Sequence, residues 1–389
     1  MPSTDETALV AAALANTALA PVIMAAWDAG EAVLPLNPGL PAAELDRLLD
    51  IARPTHIIDA DGTRTVRANG VPAPADTAAV VCTSGTTGQP KAVELTRSGL
   101  QAMGAGVSKA IGATDGDRWL ACHPLFFVAG LAILGRSWVT GVPVTVHDGF
   151  EPERVSAAPA DDGVTIVSLV PTTLRRLLRA GSLGRFRAVV VGGAPLPQPL
   201  RDEAASTGVE VFDAYGLTET WGGCVTNGMP NDTVEARLLD TSEVALRGVP
   251  LMRRYRNDDA LTNEALGADG WFRTGDVGAW SHDGRLAIVD RLKDLVITGG
   301  VNVSPTEVEG VLAQHHAVAD ACVIGVPDDE WGERVVACIV PRDPADPPGF
   351  DDVRAFVRER LGATKAPKEL RIVDVIPRSP SGKALRRLL

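Results

Sequence analysis

The sequence predicts an α/β protein. It reads as a large N-terminal domain of mainly parallel sheets with helices and a β-rich closing unit, followed by a small mobile α+β C-terminal domain. Three observations predict this. Through about residue 215, short Val-rich runs alternate with helical patterns, as in strands joined by crossover helices. Over residues 243–290, Asp-Gly and Gly-rich turns come at the short spacing of antiparallel strands. After residue 293 a helix, two strands and another helix restart, enough for a small domain of its own. A chain of 389 residues with 45% hydrophobic content can build two cores.

Taken in order, residues 1–27 read as two buried Ala-rich helices. Asn16, Thr17 and Pro21 interrupt the apolar stretch, which disfavours a membrane span, and an acidic leader stands where a signal peptide is basic. Buried strands are expected at "AAVVCTS" (78–84), "PVTVH" (143–147), "VTIVSLV" (164–170) and "RAVVVGG" (187–193). The stretch "PTTLRRLLRAG" (171–181) has helical periodicity, with Thr172 or Thr173 near its cap. Antiparallel strands are expected in "EVALRG" (243–248) and "GWFRTGDVGAWSHDGRLAIVDR" (270–291). The small domain then reads as a helix at "SPTEVEGVLAQHH", strands at "DACVIGVP" and "RVVACIVPR", and a helix at "FDDVRAFVRERLG". The expected division is 1–290 and 291–389.

Composition narrows the function. A net charge of −12 without long basic runs argues against a nucleic-acid partner. The five cysteines are scattered and never form C-x-x-C, so neither a disulfide framework nor a zinc site is indicated, and a reducing, cytoplasmic location is expected.

The stretch "CTSGTTGQPKAVELT" (82–96) collects glycines, hydroxyls and a lysine after an apparent strand. It is not a standard P-loop, since that spacing counted from Gly85 requires glycine where Pro90 stands. Gly85 and Gly88 would let amides approach an anion, while Thr83, Ser84, Thr86 and Thr87 offer hydroxyls and Lys91 a charge. Read alone, the loop is either such a cradle or a solvated turn.

Five further stretches resolve the choice: "VGGAPLP" (191–197), "DAYGLTET" (213–220), "GWFRTGD" (270–276), "DRLKDLVITGGVNVSPTEVE" (290–309) and "PRSPSGKALRRLL" (377–389). Together and in this order they resemble the adenylate-forming superfamily of acyl-CoA synthetases, peptide-synthetase adenylation domains and luciferases. Within it the chain looks most like compact o-succinylbenzoyl-CoA synthetases. With 81 residues before Cys82, the resemblance implies a shortened N-terminal subdomain.

The resemblance implies an ATP-dependent acid–thiol ligase that forms an acyl-AMP, releases pyrophosphate and transfers the acyl group to coenzyme A. The alternative is a tailoring enzyme that passes it to an amine, another nitrogen nucleophile or a carrier protein. ATP, Mg²⁺ and coenzyme A are the implied cofactors. A small carboxylic acid is the implied substrate, with no membrane insertion, and a homodimer would be unremarkable. Adenine is assigned to Tyr215, Gly192, Gly193 and Ala194, flanked by Asp213, Ala214 and Gly216. Thr218 is assigned to the α-phosphate, Glu219 to Mg²⁺, and Asp276 and Arg291 to the ribose or phosphate. Lys383 is the implied clamp for the adenylation step, Lys293 the hinge, and Gly299 and Gly300 the wall of a pantetheine tunnel. His123, Phe126, Phe127, Val128, Trp221, Gly222 and Gly223 are the candidate acid pocket. Phe127 stands where such enzymes carry a histidine. An apolar ring cannot donate to a second carboxylate, so this departure leaves room for an apolar aryl or alkyl acid.

Overall fold

The computed structural model describes residues 5–84, 90–378 and 384–389. The chain divides into two compact units, one of Met1–Arg237 with Ala245–Thr274 and one of Leu238–Val244 with Gly275–Leu389.

The first unit contains two seven-stranded sheets. One has the order Val144–Val146, Trp119–Ala121, Ile166–Leu169, Ala188–Gly192, Glu210–Tyr215, Val225–Thr226, Met229–Pro230. Its first five strands are parallel and the last two antiparallel. All four expected Val-rich strands are present, two of them fully buried across Ile166–Leu169 and Val189–Val191, as strands covered by helices on both faces must be. The helix at Pro171–Arg179 begins where expected, and Thr173 is the residue that fastens it. Its hydroxyl both accepts from the Val170 amide and donates to the Val170 carbonyl.

The other sheet has the order Arg254–Tyr255, Pro90–Thr96, Thr77–Ser84, Ala32–Pro35, Leu9–Ala12, His56–Ile58, Arg64–Val66. Here the expectation of two N-terminal helices is corrected. Leu9–Ala12 is a strand, paired in parallel with a neighbour on each side, and among the described residues of this stretch only Asn16–Asp28 is helical. Alanine disfavours strands weakly, and a central position with all four residues buried overrides that preference.

A four-stranded sheet has the order Val234–Leu238, Glu243–Gly248, Phe272–Trp280, Leu286–Arg291, the antiparallel texture read from the sequence. In the second unit, Val301–Val303, Val296–Thr298, Gly332–Pro341 and Val318–Asp328 form a sheet to which Glu369–Ile372 adds a parallel edge. Helices Pro305–Leu312 and Phe350–Leu361 cover it, and Val308, Leu312, Val323, Val335, Val353 and Val357 make its core. Ser304 caps the first of these helices by accepting from the Glu307 amide, while its hydroxyl reaches the Asp290 carboxylate at 2.6 Å. No helix among the described residues is long and apolar enough to cross a membrane.

Candidate active site

In the first unit the loop 216–224 leaves the C-terminal end of strand Glu210–Tyr215, where open α/β sheets gather ligands. It folds back tightly. A Cβ on Gly216 would stand 2.6 Å from the Gly223 nitrogen, and Gly222 has φ of +77°, so the glycines are required by the turn itself. The turn is fastened by Thr220, whose hydroxyl accepts from the Leu217 amide and donates to the Leu217 carbonyl. The Thr218 hydroxyl has no partner among the described residues.

Trp221 is fully buried. Its indole donates to the Thr96 carbonyl at 2.9 Å and packs on Gly99, so it anchors the loop to the core. Gly192 lies against the same strand end, where a Cβ would come within 2.9 Å of the Ala214 carbonyl. Gly193 and Ala194 beside it are exposed. Asp213 faces Arg201 at 3.4 Å, and burial raises its pKa despite that cation.

Glu219, half-buried in the turn Thr218–Thr220, accepts a 2.8 Å hydrogen bond from the Tyr255 hydroxyl. The Lys91 ammonium lies 4.9 Å from the centroid of the same ring. Lys91 stands opposite Thr83 in the antiparallel pair Thr77–Ser84 and Pro90–Thr96, the two stems of the Gly/Thr loop. Gly85, Thr86, Thr87 and Gly88 lie outside the described residues, as does Lys383. Among the described residues no cluster of three His, Cys, Asp or Glu side chains could hold a metal.

Of the acid-pocket candidates, Val128 opens helix Val128–Thr140. Phe126 and Phe127 precede it as an edge-to-face pair with centroids 4.7 Å apart. Val128 sits against Gly222, whose Cβ would come within 3.3 Å of it. Two turns on, on the same helical face, Arg136 lies against Gly223, where a Cβ would stand 3.5 Å from Nη2. Arg136 is buried, its Nη1 donates to Ser168 Oγ at 3.3 Å, and its guanidinium lies 5.2 Å from the Trp119 ring. Among the described residues its Nε has no partner and no acidic side chain pairs with it, and burial lowers its pKa to about 10. His123 has a hydrogen bond with the Ser168 backbone. Its Nε2 is buried with no partner among the described residues, and desolvation outweighs the Ser168 bond and lowers its pKa to about 4, which keeps the ring neutral.

Two of these residues escaped the reading of the sequence. Arg136 had a signal, being the only charge in the apolar helix "VAGLAILGRSWVT". Tyr255 had none beyond being one of two tyrosines in the chain.

In the second unit Asp276 and Arg291 stand opposite each other across an antiparallel pair, and Arg291 Nε reaches Asp276 Oδ1 at 2.6 Å. Asp276 is 3% exposed. Lys293 lies exposed in the short turn Leu292–Asp294. Gly299 and Gly300, with φ of +57° and +76°, form the two-residue turn between Val296–Thr298 and Val301–Val303, so the pair is demanded by the hairpin. A Cβ on Gly299 would meet the Trp331 ring at 3.0 Å, whereas Gly300 faces open space. The Lys368 ammonium lies 3.5 Å from the centroid of the Trp331 ring.

The chain as a whole is similar to known proteins. The model of the AMP-binding enzyme family matches residues 59–251, and that of the AMP-binding enzyme C-terminal domain matches residues 307–383. A probable 2-succinylbenzoate–CoA ligase of Mycobacterium tuberculosis is 39% identical over 325 residues, covering 81% of this chain and 84% of that protein. The o-succinylbenzoate CoA synthetase MenE of Bacillus subtilis, solved with the acyl-adenylate intermediate OSB-AMP, superposes with a TM-score of 0.87 at 29% identity, covering 99% of this chain and 88% of that one. Its complex with ATP and magnesium ion gives a TM-score of 0.86 at 29% identity, over 99% and 90% of the two chains. The chain belongs to the AMP-binding enzyme family, the adenylate-forming superfamily, as an ATP-dependent, AMP-forming acid–thiol ligase.

Proposed function

We propose that the acid is 2-succinylbenzoate and the acceptor coenzyme A. The observation that carries the substrate is Arg136, a buried guanidinium with no counterion among the described residues. An uncompensated buried charge costs several kcal/mol, on the order of 3–5 when a partner is removed from a buried pair. A monoacid spends its only carboxylate on the reaction, whereas 2-succinylbenzoate keeps a second one to complete the pair. Arg136 thereby answers the objection raised by Phe127. The second carboxylate is held from Arg136, Ser168 and the Gly223 backbone, and the Phe126–Phe127 pair offers an aromatic edge to the aryl ring.

The chemistry follows from carboxylate inertness. A carboxylate oxygen attacks the α-phosphorus of ATP, and pyrophosphate leaves with the electrons of the broken P–O bond. The thiol of coenzyme A then attacks the acyl carbon, and AMP leaves. Thr218, with its hydroxyl unclaimed by the turn, donates to the α-phosphate. Lys91 and the loop 83–88 hold the departing phosphates, and Lys383 clamps the carboxylate and α-phosphate oxygens.

Glu219 suits Mg²⁺, which binds through one or two carboxylates and fills its remaining positions with phosphate oxygens and water. One of its oxygens is taken by Tyr255 and the other has no described partner. Bound there, the ion neutralises charge on the phosphates. Tyr215 stacks on adenine, and Asp276 with Arg291 receives the ribose hydroxyls. Residues 291–389 turn about Lys293 between the two half-reactions, and the Gly299–Gly300 turn beside Trp331 lines the path of the pantetheine arm.

Turnover of 2-succinylbenzoate against the same acid without its ring carboxylate tests the assignment. The dicarboxylic acid should be favoured at least about 30-fold in kcat/KM, the loss of a desolvated charge pair being about 2 kcal/mol or more. Equal turnover would remove the assignment.

A further inference from the structure

We infer that Tyr255 is a positioning residue that presets Glu219 for the metal ion, an inference that rests on the metal role proposed above for Glu219. One aromatic ring joins two parts of the nucleotide machinery. Its hydroxyl donates to Glu219 Oε1 at 2.8 Å, and Lys91, on the second stem of the phosphate loop, lies over its ring. The register explains the meeting. Strand Arg254–Tyr255 pairs antiparallel with Pro90–Thr96 so that Tyr255 opposes Val93, and Lys91 is two residues along on the same face.

The residues on either side of this ring are tied to the fold. Glu94, fully buried, takes Arg254 at 2.6 Å and Arg256 at 3.5 Å, one from each side of Tyr255. Arg256 in turn donates to the Ala52 carbonyl at 2.7 Å. The Tyr255 amide donates to Thr262 Oγ1, and the Met252 amide donates to the Glu219 carbonyl at 2.7 Å. The segment 252–255 therefore grips Glu219 at its backbone and at its carboxylate. Glu219 has three side-chain torsions, and a carboxylate already held by a donor loses less rotamer freedom when a cation arrives. A core tyrosine needs some acceptor for its hydroxyl, but any carbonyl would serve. Here the acceptor is the Glu219 carboxylate, and the same ring lies under the Lys91 ammonium.

The test is the coupling between metal and nucleotide, read by binding without turnover. The affinity for a non-hydrolysable ATP analogue is measured with excess Mg²⁺ and with a chelator, for wild type, Tyr255→Phe and Glu219→Gln. Outer-shell partners of metal ligands are worth roughly 10–100-fold in metal affinity. Tyr255→Phe should therefore cut the gain in affinity produced by Mg²⁺ about 10-fold, leave the affinity in chelator within about twofold, and leave KM for the acid unchanged. A ring that only fills the core would lower Tm and leave the Mg²⁺ gain at its wild-type value, which overturns the inference. If Glu219→Gln also keeps the full gain, the metal role of Glu219 falls and this inference falls with it. If Glu219→Gln loses the gain and Tyr255→Phe keeps it, only the positioning role is lost.

Discussion

Arg136 donates to Ser168 Oγ at 3.3 Å from within the core of the first unit, with its Nε unpartnered and no described acid beside it. Arg136→Met keeps the stem and removes the charge. The account expects KM for 2-succinylbenzoate to rise about 30- to 300-fold, the equivalent of roughly 2–3.5 kcal/mol for a desolvated charge pair, while an acid without the second carboxylate is used as well as by wild type. Because a buried cation without an anion destabilises the empty protein, the same variant should unfold at the wild-type Tm or above it. Steady-state kinetics and thermal melts check both.

Lys383 is assigned to the first half-reaction. Lys383→Ala should lower acid-dependent ATP–pyrophosphate exchange by at least about 10²-fold, as removal of a charge-stabilising group does. Thioester formation from preformed acyl-AMP should largely survive. Exchange at the wild-type rate would show that the role is wrong.

Gly300 faces open space yet has φ of +76°. Gly300→Val should slow acyl transfer from preformed acyl-AMP by about 10-fold or more through misplacement of the thiol, with a smaller effect on exchange. Gly300→Asn, which tolerates a positive φ, separates backbone strain from bulk. It should fall between the two, as rapid-quench measurement of each half-reaction would reveal.

His123 makes stability depend on pH in a defined window. Desolvation lowers its folded pKa to about 4 from the ordinary 6.5. Between those values the unfolded chain binds more protons than the folded one, so stability is complete above 6.5 and declines as pH falls toward 4. The slope is at most about 1.4 kcal/mol per pH unit for one such group. His123→Gln should flatten the curve in that interval, as read from denaturant unfolding at several pH values.

What was legible in the sequence was whatever local pattern determines. Val-rich runs such as "RAVVVGG" mark strands because parallel strands are buried on both faces, and the turn 299–300 is visible as a glycine pair. Leu9–Ala12 was misread because alanine carries little preference of its own, and the neighbouring strands that decide its state lie at residues 32–35 and 56–58. Phe127 points away from a second carboxylate, and Arg136, the cation proposed to hold one, stands nine residues further on in the helix that follows. Tyr255 could not be found locally, since its partners lie 36 residues before it at Glu219 and on another strand at Lys91. The division of labour in the turn, with Thr220 fastening it and Thr218 left unclaimed, likewise needed coordinates.

The central claim is tested most directly by incubating the protein with ATP, Mg²⁺, coenzyme A and a panel of aryl, dicarboxylic and alkyl acids, with products read by mass spectrometry. The account predicts AMP and 2-succinylbenzoyl-CoA in equal amounts, and accumulation of the succinylbenzoyl adenylate when coenzyme A is left out. Efficient conversion of a monocarboxylic acid with 2-succinylbenzoate untouched, or adenylate that forms and never becomes a thioester, would contradict it.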